Sequence, residues 1–130
     1  MLNMVNEQEL QAGFIEFLDG GLDEEAKGRY KLAVTAYFKA ITQIADILII
    51  RKRGFPPSNH YERFRVLEKE FPGVYKSVDG IFKTYQDTYS MPMSKESCET
   101  IKNEIREIIT NGGLGKEFSE ALSKLQGQSD

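Results

Sequence analysis

The chain has 130 residues, 40% hydrophobic and 28% charged, with a formal net charge of −3, a size that sets one domain with room for a core. A single cysteine, Cys98, excludes an internal disulfide, and beside a single histidine, His60, it leaves no zinc set, so no metal or cofactor is expected. Residues 1–15 carry no basic leader or cleavage pattern, and the most apolar stretch, Leu32 to Ile50, is interrupted by Lys39, Gln43 and Asp46. The expectation is a buried helix, a cytoplasmic protein and no membrane partner.

In chain order the periodicity is helical and no strand pattern emerges. Asn6 reads as the N-cap of a first helix, with Glu9 in its first turn, and Leu10, Phe14, Leu18, Leu22 and Ala26 recur every four residues. The stripe keeps its phase through Gly20-Gly21, which predicts one helix with a weak point. Gly28 links it to a long second helix, about 29–52, whose broad apolar face includes Ala33, Val34, Tyr37, Phe38, Ile41, Ile44 and Leu48. Gly54 ends that helix and Pro56-Pro57 stiffens a loop. Ser58 or Asn59 caps a third helix with Phe64, Leu67 and Phe71 as its apolar line. Pro72-Gly73 breaks to a fourth, carrying Val74, Val78, Ile81, Phe82, Tyr85 and Tyr89. Ser94 caps a fifth with Cys98, Ile101, Ile105, Ile108 and Ile109, and Asn111-Gly112-Gly113 stops it. Leu114, Phe118, Leu122 and Leu125 predict a short tail helix, about 114–126, before the polar QGQSD end. The predicted fold is all-α: one domain over 1–130, an antiparallel up-and-down bundle of four to five helices with a core of about 7–111 and that tail. The apolar surface exceeds what four helices need, so a homodimer is expected, with the tail or first helix contributing.

Charge is distributed unevenly. Residues 1–27 sum to −6, residues 28–69 to +6 and residues 70–130 to −3. Seven basic side chains crowd the stretch Ile50–Phe71: Arg51, Lys52, Arg53, His60, Arg63, Arg65 and Lys69. Cations around one imidazole, between two helices, are the chemistry of a site that meets phosphates. Arg53 and His60 would serve phosphodiester cleavage, one as clamp and the other as proton shuttle. One histidine cannot readily be both acid and base, so that reading places a composite site at a two-fold interface. The alternative is that His60 only bonds near the third helix's N-terminus, and that Arg51, Lys52 and Arg53 answer the second helix's dipole. Lys39, Gln43 and Asp46 form a polar strip that either lines a nucleotide cleft or is merely solvated. Tyr75, Phe82, Tyr85 and Tyr89 could stack bases, though core packing accounts better for most of them. Tyr61, Tyr75 and Tyr89 remain the candidates for exposure, with Tyr61 a possible base or ribose contact.

The run KGRYKLAVTAYFKAITQIADILI, then a proline loop and SNHYERFRVLEKEF, resembles small archaeal members of the HEPN superfamily of helical domains. The residues carrying the likeness are Gly28, Arg29 and Tyr30; Leu32, Ala33, Val34, Ala36, Tyr37 and Ala40; and His60. It covers about residues 10–110. The resemblance implies one of two roles. Some members are metal-independent ribonucleases, toxins among them, marked by an arginine and a histidine with four to six residues between them. Others are non-catalytic, bind nucleotides or pair with a separate minimal nucleotidyltransferase. Arg53 and His60 have the loosest form of that spacing, but Gly54 stands where a polar residue is usual. The later position where catalytic versions keep the motif holds Tyr85-Gln86-Asp87-Thr88-Tyr89. The balance falls to a non-enzymatic nucleotide- or nucleic-acid-binding module, with the ribonuclease as the alternative.

Overall fold

The computed structural model describes residues 2–126, with side chains from Glu7 onward; the polar end beyond Gln126 lies outside the described residues. Six helices follow one another: α1 (Leu2–Ala26), α2 (Tyr30–Arg53), α3 (His60–Glu70), α4 (Pro72–Asp87), α5 (Lys95–Asn111) and α6 (Ser119–Gln126). No strand occurs among the described residues. The fold is the all-α bundle that the periodicity predicts.

The first helix starts at Leu2, four residues before Asn6, so Asn6 is inside the helix and does not cap it. Phe14 and Leu18 from the predicted stripe are fully buried, Leu10 and Leu22 half-buried, and Ala26 exposed. Gly20-Gly21 leaves α1 unbroken, as expected. A side chain at Gly21 would bring its Cβ to 2.4 Å from Cε1 of Tyr37, whereas nothing lies within 4 Å of one at Gly20. Gly21 is therefore a contact, whereas Gly20 is half-buried with open space beside it.

Gly28, at φ 77°, turns the chain tightly, and α1 and α2 pack as a hairpin, the most extensive helix pair of the bundle. Fourteen residues of α2 are buried, and α5, α4 and α3 all lie against it. α2 is also long and apolar enough to cross a membrane, and 78% of that window is buried inside the protein. Gly54, with φ 93°, ends α2 in the left-handed conformation, its N–H donating to the Ile50 carbonyl. Ser94 caps α5 through a reciprocal bond with Ser97.

The tail differs from its predicted bounds. Residues 115–118 form turns, and α6 begins only at Ser119. Its apolar side chains are part of the core: Leu114, Phe118, Ala121 and Leu125 are buried, and Phe118 meets Phe14 edge-on at 5.2 Å. Lys124 reaches Asp19 at 2.8 Å, and Arg106 of α5 donates to the Leu125 carbonyl at 3.1 Å. Most of the apolar face of the tail is thus occupied within the same chain, with Leu122 half-buried.

Candidate functional site

The proline loop and the first turn of α3 organise the basic region. Asn59 caps α3, its Oδ1 accepting from the Glu62 N–H at 2.9 Å, and Glu62 in turn accepts from the Ser58 N–H at 2.7 Å. That closed turn aims His60 and Arg63, three residues apart on one face, toward α2. Arg63 donates to both oxygens of Asp46, Nε to Oδ1 at 2.7 Å and Nη2 to Oδ2 at 2.9 Å. Both side chains are nearly buried, at 12% and 9% exposure. The remaining nitrogen, Nη1, lies 2.6 Å from Nδ1 of His60.

A guanidinium only donates, so Nδ1 accepts and the hydrogen of the neutral ring sits on Nε2. Desolvation first, then the Arg63 charge, hold the His60 pKa below its ordinary value, with Lys39 acting in the same direction and Asp46 opposing. The ring is flanked by Phe82 at 5.7 Å, Phe38 at 5.8 Å and Phe64 at 6.2 Å. In this state His60 presents a neutral N–H donor and has no free lone pair with which to take a proton from substrate.

Arg53 is engaged elsewhere. It donates to the carbonyls of Phe55 and Pro56, both at 3.1 Å, pairs with Glu62 at 2.9 Å, and lies 4.1 Å over the Phe55 ring. It pins the loop; its contacts do not include His60. Arg51 points the other way, clamping Glu7 and Glu117 and so joining α1 and the segment before α6 to α2. Lys52 pairs loosely with Glu70 at 3.7 Å. The seven-residue cluster of the sequence is therefore divided among three directions.

What stays together is a groove of about 590 Å³ between the end of α2 and the outer face of α3. Lys52, Arg53, Arg65 and Lys69 line it with Val66, Glu68 and Glu70. Arg65 donates to the Tyr61 hydroxyl at 3.3 Å and lies 5.8 Å from the centre of that ring, which is 71% exposed as a residue. Lys69 has no carboxylate partner among the described residues. The polar strip of α2 is split as well: Lys39 is exposed, Gln43 covers Gly13, and Asp46 belongs to Arg63.

Two features escaped the sequence reading. One is a buried ionic cluster. Lys102, with no exposed surface, donates to Glu25 and Glu99 at 3.0 Å each, while Tyr37 donates to Glu25 at 2.7 Å and Lys95 reaches it at 3.2 Å. Burial raises the Glu25 pKa, but the bonds from Tyr37, Lys102 and Lys95 outweigh it and leave the carboxyl below its usual range. The adjacent Cys98 thiol is pushed up by burial to about 12, the inert core thiol its place on the stripe predicts. The cluster's signal was present: Lys102 sits four residues after Cys98, on the apolar face of its helix. The second feature is a notch of about 290 Å³ between α2 and the end of α4, lined by Lys31, Leu32, Thr35, Tyr85, Thr88 and Tyr89. Tyr85 stacks on Phe38 at 4.4 Å and 13°, and its hydroxyl is 3.1 Å from that of Tyr89.

No group of three or more His, Cys, Asp or Glu side chains placed to hold a metal ion occurs among the described residues. Neither a protein-family model, a curated protein nor a solved structure matches the chain.

Proposed function

We propose that this chain is a non-enzymatic nucleic-acid-binding module, of the HEPN kind that its sequence resembles, holding phosphates in the groove on α3. The observation that carries the reading is the pair Arg65 and Lys69. They are one turn apart on the outer face of α3, line the groove together and have no carboxylate partners among the described residues. Cations left unpaired beside an exposed tyrosine suit a phosphate backbone with a base against the ring. Arg51 and Arg63 are excluded from that surface by their own carboxylates, so the footprint is small. The engagement of Arg53 with the loop, and of Nδ1 of His60 with Arg63, supports binding over cleavage.

Single-stranded RNA binding, titrated against salt, tests this. Each phosphate contact removed should lower the slope of log K against log salt by about 0.7. Arg65→Ala with Lys69→Ala should therefore flatten the slope by more than one and weaken binding throughout. His60→Ala should leave affinity nearly unchanged, and no cleavage should occur with or without EDTA. Cleavage persisting in EDTA and lost in His60→Ala would replace the proposal with a ribonuclease; no binding at low salt would end it.

A further inference from the structure

We infer that the notch between α2 and α4 is a base-stacking site, taking one unpaired base of a bound single strand with its phosphate on Lys31. The inference rests on the nucleic-acid reading for its ligand class and adds a second contact at the opposite end of α2. Leu32 and Lys52 are twenty residues apart, about 30 Å along the helix axis.

The walls are an aliphatic and an aromatic side chain left open to solvent: Leu32 is 54% and Tyr89 77% exposed. Tyr89 lies beyond the end of α4, in the turn that follows it. It is held there by its hydroxyl bond to Tyr85, whose ring is fixed in turn against Phe38, and the two tyrosine rings meet at 78° with centroids 5.8 Å apart. The exposed ring is therefore positioned on a rigid support, which lowers the ordering cost of stacking a base on it. Polar groups of the lining complement a base edge. The Thr35 and Thr88 hydroxyls donate to the carbonyls of Lys31 and Tyr85, leaving their oxygens as acceptors. Of the two bonded tyrosine hydroxyls one donates to the other, so the second keeps a hydrogen to donate outward. Among the described residues the lining holds one cation, Lys31, and no carboxylate, in contrast to the α3 groove with Glu68 and Glu70. Lys39, eight residues on, continues the cationic side of α2 about 12 Å further. An acidic strand with flat rings fits this charge and shape.

A ten-nucleotide oligouridine, with 5-iodouridine at alternate positions for photocrosslinking, tests the site on the full chain. Tyr89→Ala and Leu32→Ala should each weaken binding, Tyr89→Ala by about five- to a hundredfold, with the salt slope unchanged because no charge is removed. Tyr89→Phe should fall between wild type and Tyr89→Ala, since the ring remains but loses the hydroxyl bond that holds it against Tyr85. Arg65→Ala with Lys69→Ala should instead change the slope, and crosslinks should map to Tyr89. Wild-type affinity in Tyr89→Ala, or crosslinks confined to α3, would overturn the notch while leaving the groove standing. Loss in Tyr89→Ala with an unchanged slope in the α3 variant would reject the groove and keep the notch. No binding by wild type at low salt would reject both. Tyr89 is largely exposed, so matching melting temperatures confirm that these variants fold.

Discussion

Two polar clusters cross the same bundle, and they differ in how they end. In the first, Glu25 of α1 is enclosed by Tyr37, Lys102 and Lys95, and every group faces a partner. In the second, Asp46 of α2 takes both arms of Arg63, and the chain continues to His60, whose Nε2 has no partner among the described residues. A closed cluster ties helices together and leaves nothing for a ligand. The open one ends on a donor and sets that donor's tautomer. Burial alone does not separate a closed network from one that reaches the surface; the free end does.

The largest effect should come from opening the closed cluster. Lys102→Ala leaves Glu25 buried with a cavity beside it and should cost about 3–5 kcal/mol. Lys102→Met fills the space but strips the buried carboxylate of its buried cation, leaving it Tyr37 and the exposed Lys95, whereas Lys102→Met combined with Glu25→Gln should recover much of the loss. Urea melts of the three variants measure this, and a double variant no better than the single would break the distinction. Asp46→Ala should cost less, about 2–3 kcal/mol, because Arg63 keeps some solvent. It also removes the anchor that holds Arg63 against His60, so the imidazole resonances in nitrogen NMR should lose their single-tautomer signature. The unaltered tautomer in that variant would mean that Asp46 plays no part in setting the donor.

The smallest effect is in pH. The folded His60 pKa lies below its unfolded value of 6.5, so between the two the unfolded chain binds more protons and stability rises with pH. Folding stability should therefore fall as pH drops through 6.5 and level off below the folded pKa. His60→Gln should remove that slope. Glu25 acts lower on the scale: its folded pKa is depressed from 4.5, so its contribution is present above that value and is lost as pH falls through the folded pKa. Thermal melts between pH 2 and 8 separate the two windows; a slope of opposite sign near 6.5 would refute the Arg63–His60 bond.

The helices were legible because apolar spacing is a local property. Leu67, Val78 and Ile105 stand where their periodicity puts them, and Gly54, Asn59 and Ser94 mark ends by their own chemistry. The site was legible only as composition. Arg51, Lys52 and Arg53 are neighbours in sequence, but each residue turns a helix by about 100°, so three cations in a row diverge. Asp46 lies seventeen residues from Arg63 and Glu25 seventy-seven from Lys102, distances at which no local pattern identifies a partner. The first helix was misread at its start because Asn6 has cap chemistry, and the helix simply continues to Leu2.

Gly21 carries a consequence for assembly of the α1–α2 hairpin. The Tyr37 ring lies where a side chain at Gly21 would be, and its hydroxyl ends on Glu25, one helical turn further along α1. The missing side chain works as a keyway and the ring as the key. Sliding α1 by one residue would present Gly20 or Leu22 to the ring and carry Glu25 out of its reach. A gap one methyl wide thus indexes the two longest helices against each other, and through Glu25 it locates the lysines of α5 in the same stroke.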